Sequence, residues 1–156
     1  MDTAVEPDVS VRAVAALLDA LGDRLVAVVL FGSRARGDAH AGSDWDLLVI
    51  ARGLSASRFE RCLEIQRILP VEFRGAVSVL AKTPEEFTSH LPSLYLDVAL
   101  DGQILYDPHG FAADRLASLK RTMDRAGLYR ERTADGDVWR WRKQPSGHWS
   151  LQWETA

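Results

Sequence analysis

The chain has 156 residues, of which 47% are hydrophobic and 26% are charged, as in one globular domain. This composition excludes a disordered chain, and the longest apolar run, Leu25 to Phe31, is far below the roughly 18 residues of a membrane-spanning helix. Met1 to Ser10 contains three acidic residues and no basic signal region. Since the single cysteine, Cys62, cannot form an internal disulfide, we expect a cytoplasmic protein.

The net charge of -3 is unevenly distributed along the chain. Residues 1 to 110 carry 10 Lys and Arg against 16 Asp and Glu, a net charge of -6, whereas residues 111 to 156 carry 9 against 6, a net charge of +3. A weakly acidic chain does not favour nucleic acid as a partner. The basic tail could meet phosphate or an acidic protein, or it could form an ordinary solvated surface.

The first half of the chain alternates helix and strand signals. Val9 to Leu21 has apolar residues at helical spacing, with Ser10 placed to cap the helix. Leu25 to Phe31 is short, β-branched and apolar on both faces, which predicts a strand at the centre of a sheet. After a polar stretch that contains glycine, Asp44 to Ile50 predicts a second strand.

The second half continues in the same pattern and then changes. The predicted elements are a helix over Ser57 to Leu69, a strand over Ala76 to Ala81, a helix opened by Pro84, a buried helix turn or strand over Leu94 to Leu100, a strand over Gln103 to Tyr106 and a helix over Phe111 to Ala126. In the Ser57 to Leu69 helix, Cys62 is expected to be packed.

Residues beyond Gly127 are unusually rich in tryptophan. Trp139, Trp141, Trp149 and Trp153 lie at odd-numbered positions, and Asp135-Gly136 is a turn signal, which together predict a β-hairpin. Such a tail is expected to pack on the core or on a partner. We therefore divide the chain into a domain over residues 1 to 127 and an extension, residues 128 to 156, packed on the same domain.

Two acidic residues at the start of the second strand are candidates for metal binding. Side chains two apart in a strand face the same side, so Asp44 and Asp46 project together with Cα atoms about 7 Å apart. Two neighbouring carboxylates repel each other unless a cation lies between them, and oxygen ligands suit Mg²⁺ or Mn²⁺. The alternative is an ordinary pair of solvent-facing aspartates.

The first strand leads directly into a possible phosphate-binding turn. At Gly32-Ser33 the missing side chain lets backbone N–H groups approach a phosphate, and the serine hydroxyl adds a donor. Arg34 and Arg36 follow closely and could neutralise further phosphate charge. A phosphate cradle beside a carboxylate pair provides the parts needed for phosphoryl or nucleotidyl transfer.

At these residues the chain resembles the nucleotidyltransferase superfamily typified by DNA polymerase β, whose signature is Gly-Ser, ten variable residues and Asp-X-Asp. Here Gly32-Ser33, residues 34 to 43 and Asp44-Trp45-Asp46 fit that spacing. Ala35-Arg36-Gly37 and Ser43 look most like the minimal nucleotidyltransferases (MNT) of bacteria and archaea, often antitoxins beside HEPN-domain toxins. Later segments are similar to stand-alone members: Thr83 to Phe87, Leu94 to Asp97, Asp101 to Asp107 and the tryptophan-bearing tail.

This resemblance implies a fold, a reaction and a site. The fold would be α+β, a short mixed sheet flanked by helices and followed by the C-terminal β-hairpin. The reaction would be metal-dependent transfer of NMP, in the first place AMP from ATP, to a hydroxyl of a partner such as a HEPN toxin. Asp44 and Asp46 would be the catalytic residues and bind Mg²⁺ or Mn²⁺. The nucleotide would be bound by Gly32, Ser33, Arg36 and Ser43.

One departure from the family pattern bears on activity. Family enzymes usually place a third carboxylate, a general base, on the next strand, and Ser78 stands at that position here. Glu72, Asp97 and Asp101 are substitute candidates, although each also fits a surface ion pair or helix cap. Two alternatives therefore remain open, a catalytically degenerate antitoxin that binds nucleotide or protein, and a transferase for small molecules such as aminoglycosides.

Overall fold

The computed structural model describes residues 8 to 154. Most of Met1 to Ser10, which shows no basic signal region, lies outside the described residues, and so do residues 155 and 156. The helices are α1 Val9–Leu21, α2 Ser33–Arg36, α3 Arg58–Ile68, α4 Pro84–Ser89, α5 Leu94–Asp101 and α6 Phe111–Ala126. The strands are β1 Leu25–Phe31, β2 Trp45–Ala51, β3 Val77–Lys82, β4 Gln103–Tyr106, β5 Leu128–Thr133 and β6 Gly136–Trp141.

Four strands form one mixed sheet in the order β3-β2-β1-β4. β1 is antiparallel to both β2 and β4, whereas β2 and β3 are parallel. The end of β1 and the starts of β2 and β3 therefore meet at one edge of the sheet. This mixed α/β architecture confirms the predicted fold class.

The central strands are buried on both faces, as their apolar sequences predict. Ala27 and Val29 face a layer formed by α4, α5 and α6, whereas Val28 and Leu30 face α1 and α3. Because side chains alternate across a strand, a run of apolar residues without polar interruption fills both cores. Helices on both faces of the sheet therefore fix the positions of β1 and β2, whose ends form the edge described above.

Most sequence predictions agree with these elements to within one or two residues. Leu94 to Leu100, left open as helix or strand, is the helix α5. The cap of α1 is Asp8 and not Ser10, because the Asp8 carboxylate accepts from the backbone of Ser10 and from its buried hydroxyl. The expectation that Cys62 is packed is wrong, since its side chain is exposed.

The tail forms a hairpin that lies on the main domain. β5 and β6 pair as a two-stranded antiparallel sheet, which confirms the predicted hairpin. Trp153 packs its ring 5.1 Å from that of Phe87 and donates a hydrogen bond to the carbonyl of His90. The division at residue 127 stays a prediction. Within residues 8 to 154, no helix is long and apolar enough to cross a membrane.

Candidate active site

The two predicted acidic residues lie at the edge where β1, β2 and β3 meet. Asp46 is the second residue of β2 and pairs with Phe31 at the end of β1. Asp44 lies just before β2 and is exposed, whereas Asp46 is half-buried. The strand therefore begins one residue later than the predicted start at Asp44, and Asp44 lies in the loop that leads into it.

Gly32 lies where a side chain would collide with Asp46. Its φ of 74° is in the left-handed region, which favours glycine. A Cβ atom at this position would lie 2.2 Å from Oδ2 of Asp46, closer than any real contact. The absent side chain is what allows the turn and the carboxylate to occupy the same edge.

The turn after Gly32 is a four-residue helix, which the sequence analysis did not predict. Ala35 and Arg36 donate their N–H groups to the Gly32 carbonyl, so the N–H groups of Ser33 and Arg34 lie before the first helical hydrogen bond. Backbone donors in this position favour an anion. The short helix ends at Gly37, whose φ is 84°.

Asp46 lies in an environment that disfavours its charged form. Burial raises the pKa of Asp46, the neighbouring charge of Asp44 raises it further, and the charge of Arg36 lowers it. Within residues 8 to 154, neither Asp44 nor Asp46 accepts a side-chain hydrogen bond or forms an ion pair. Two neighbouring carboxylates that form no ion pair with these described residues are chemically suited to an added divalent cation.

The loop between α2 and β2 is braced by Arg34. Its guanidinium donates to the carbonyl of Ser43 at 2.9 and 3.1 Å and lies 4.4 Å from the ring centre of Trp45. The hydroxyl of Ser43 accepts from the N–H of His40 at 3.0 Å. Arg34 therefore supports the loop. Its contacts favour this structural role over the predicted neutralisation of phosphate.

The residue beside Asp46 on the neighbouring strand is Ser78. The two residues are paired in the parallel register of β2 and β3, and Ser78 is exposed. The substitute acids are engaged elsewhere: Glu72 pairs with Arg12, and Arg130 bridges Asp97 and Asp101. Among residues 8 to 154, the structure therefore brings no third carboxylate into a cluster with Asp44 and Asp46.

Two residues near the site were missed by the sequence analysis. Asp38 follows α2, and its Oδ2 accepts from Arg36 at 3.3 Å and from Arg132 of β5 at 2.8 Å. The only sequence signal was the charge of residues 111 to 156, which says nothing about where the hairpin lies. Only the fold places Arg132 beside a loop 94 residues away.

Comparisons with known proteins identify the family. The family model of the polymerase beta nucleotidyltransferases matches residues 18–93, which include the turn and both aspartates. A protein of Methanocaldococcus jannaschii is 32% identical over 109 residues, which cover 67% of this chain and 74% of the relative. The chain belongs to the polymerase β nucleotidyltransferase family. That archaeal member is provisionally named a protein adenylyltransferase.

Two solved structures have a similar fold. A chain in a crystal structure of a toxin-antitoxin with AMP-PNP has 21% identity and a TM-score of 0.51, over 74% of this chain and 90% of that one. A chain of a toxin-antitoxin MntA-HpeT mutant has 18% identity and a TM-score of 0.50 over the same shares. At these identities the likeness concerns the nucleotidyltransferase fold alone.

Proposed function

We propose that this nucleotidyltransferase transfers AMP from ATP to a hydroxyl of a partner protein, with Asp44 and Asp46 holding Mg²⁺ or Mn²⁺. The observation that carries the proposal is Asp46, close to the charge of Asp44, packed where only glycine fits at position 32, with neither carboxylate in an ion pair within residues 8 to 154. The name of the archaeal relative supports protein as the acceptor.

The residues present fit a divalent cation. Asp44 and Asp46 supply hard oxygen ligands, and a cation between them would relieve the repulsion that raises the pKa of Asp46. No cluster of three or more candidate ligands lies within residues 8 to 154, so oxygens of the triphosphate and water would complete the shell. A cation bound there supplies a Lewis acid and lowers the pKa of the attacking hydroxyl.

The remaining residues of the site bind and orient the nucleotide. The N–H groups at the start of α2 and the hydroxyl of Ser33 donate to phosphate oxygens. Arg36, whose charge is felt at Asp46, adds positive charge on the same side. Ser43 holds the loop that delivers Asp44, and its hydroxyl proton is still available for a phosphate oxygen.

The acceptor site is open on the side of β3. Asp44 and Ser78 are both exposed, so a hydroxyl presented on a protein surface can reach the edge where the strands meet. A toxin partner of HEPN type fits this arrangement, and a structural neighbour is itself a toxin-antitoxin with AMP-PNP. ATP as donor suits a reaction in the cytoplasm, where the exposed thiol of Cys62 stays reduced.

A binding role without turnover is the second candidate. It is favoured by Ser78, which occupies the position beside Asp46 without a group that can accept a proton near pH 7. In that case the protein binds ATP with Mg²⁺ and its partner but releases no pyrophosphate. Isothermal titration together with a pyrophosphate assay separates the two candidates.

The experiment that tests the proposal compares Asp44→Asn and Asp46→Asn with Asp19→Asn, a control that removes an exposed acid from α1. Pyrophosphate release with ATP and Mg²⁺, and AMP mass gain on the protein encoded beside it, are measured for each. We expect the site variants to lose on the order of 10² to 10³-fold in rate and the control to lose nothing. Full turnover in both site variants would refute the metal assignment.

A further inference from the structure

The hairpin reaches the nucleotide site through one shared carboxylate oxygen. Oδ2 of Asp38 accepts from Nε of Arg36 at 3.3 Å and from the guanidinium of Arg132 at 2.8 Å. Arg36 belongs to α2, next to the phosphate turn, whereas Arg132 belongs to β5. Asp38 therefore links the proposed nucleotide-binding arginine to a residue of the C-terminal extension.

Arg132 is held in place by a well-anchored strand. Two residues before it in β5, Arg130 bridges Asp97 at 3.0 Å and Asp101 at 2.8 Å, with only 13% of its side chain exposed. Residues two apart in a strand face the same side, so this anchor directs Arg132 toward the loop. Asp137 of β6 lies 3.5 Å from Nε of Arg132 and steadies it further.

The charges of Arg36, Asp38 and Arg132 decide how strongly Arg36 can attract an anion. Asp38 has two cationic partners, Arg36 and Arg132, so Arg132 takes up part of the negative charge that would otherwise fall on Arg36 alone. Burial alone would raise the pKa of Asp38, but the hydrogen bonds and charges of Arg36 and Arg132 outweigh burial and hold it below its usual range. Asp38 therefore stays ionised at neutral pH and competes with phosphate for Arg36.

We propose that Arg132 is a positioning residue for the nucleotide: by sharing Asp38, it keeps Arg36 available to the triphosphate. This inference rests on the proposed function, because it assumes that a nucleotide binds at the turn of Gly32. It extends that function by making the C-terminal hairpin part of the nucleotide site without direct contact to the ligand.

The test measures the Kd of ATP with Mg²⁺ by titration calorimetry in a four-variant cycle. We expect Arg132→Gln to raise Kd roughly two- to fivefold, as one exposed charge contributes near an anion, and the effect to shrink at high salt. Asp38→Asn added to Arg132→Gln should restore the affinity, because the Asp38 carboxylate then no longer competes with phosphate for Arg36. Arg140→Gln, which breaks an exposed pair with Glu131 inside the same hairpin, is the matched control.

The double variant distinguishes a role of Arg132 in positioning Arg36 from a role in docking the hairpin. If Arg132 only docked the hairpin, removing Asp38 as well would not restore binding, and that result would overturn the inference. An unchanged Kd in Arg132→Gln would overturn it equally while leaving the proposed function intact. If the wild-type protein bound no ATP with Mg²⁺, the proposed function itself would fail and the inference with it.

Discussion

The acidic residues at the turn and those under the hairpin occupy opposite environments. Within residues 8 to 154, Asp44 and Asp46 form no ion pair, and burial together with the charge of Asp44 raises the pKa of Asp46 more than the charge of Arg36 lowers it. Asp97 and Asp101 lie side by side, one turn apart on α5, but Arg130 bridges both. The first pair is therefore the one proposed to bind a cation, whereas the pair bridged by Arg130 joins the hairpin to the domain.

The largest expected effect comes from giving the unpaired region a third acid. Ser78→Asp would place a carboxylate beside Asp46 in the register of β2 and β3. A positioned general base contributes typically 10² to 10⁴-fold, and we expect a gain in transfer rate toward the lower end of that range. Pyrophosphate release measures it, with the uncharged Ser78→Asn as control.

The same change should make the protein less stable without metal. Three neighbouring carboxylates repel more strongly than two, so thermal melts in chelator should show a lower Tm for Ser78→Asp than for Ser78→Asn. Equal rates in both variants would show that no carboxylate base is needed at this position.

The next largest effect is expected from adding a side chain at Gly32, beside Asp46. Gly37 is in the left-handed helical region, with φ 84° and ψ 13°, where alanine should cost about 1 to 2 kcal/mol of stability, whereas Gly32, with φ 74° and ψ -158°, is in a region essentially restricted to glycine, where alanine should cost about 1 to 3 kcal/mol. Only at Gly32 would the new Cβ meet Asp46, whereas the Cβ at Gly37 has nothing within 4 Å. We expect Gly32→Ala to lose roughly tenfold or more in activity beyond Gly37→Ala.

Urea denaturation and transfer rates of the two variants supply the comparison. If both glycine variants lost activity equally, the contact with Asp46 would not matter, and backbone strain in the loop would explain the loss.

A smaller effect is expected from removing the arginine that bridges Asp97 and Asp101. Arg130→Gln leaves Asp97 and Asp101 facing each other without a cation, and we expect about 2 kcal/mol of lost stability, between the values for exposed and buried pairs. Arg140→Gln removes an exposed pair on the same hairpin and should cost less than about 0.5 kcal/mol. Urea denaturation measures both variants, and equal losses would contradict the anchoring role of Arg130.

The smallest expected effect is a pH dependence from Asp46. Because its pKa is raised in the folded protein, the folded state binds the proton more tightly than the unfolded state. The stability that protonated Asp46 contributes is therefore fully present below the pKa of the unfolded state, and it is lost as pH rises through the raised pKa of the folded state. The Tm of metal-free wild type minus that of Asp46→Asn should decrease across this window, and Asp44→Asn should shift the window to lower pH.

A constant Tm difference over the acid range would show that Asp46 titrates alike in the folded and unfolded states. It would remove the electrostatic reason for a cation between Asp44 and Asp46.

Local sequence determined the elements and most of the candidate site. The apolar run of β1 predicts a central strand because it is short, rich in β-branched residues and apolar on both faces, and the spacing from Gly32 to Asp44 and Asp46 predicts a turn beside an acidic pair. The short helix α2 escaped prediction because four residues, Ser33 to Arg36, are too few to show a period.

Tertiary structure alone decided which charges meet. Arg34 and Arg36 are two residues apart and look equivalent in sequence, yet Arg34 binds the carbonyl of Ser43, whereas Arg36 faces Asp38. Arg132 reaches Asp38 only because β5 is anchored over α5. Ion pairs between distant segments carry no periodic signal, so their partners follow from the packing of the sheet, helices and hairpin and not from the order of residues.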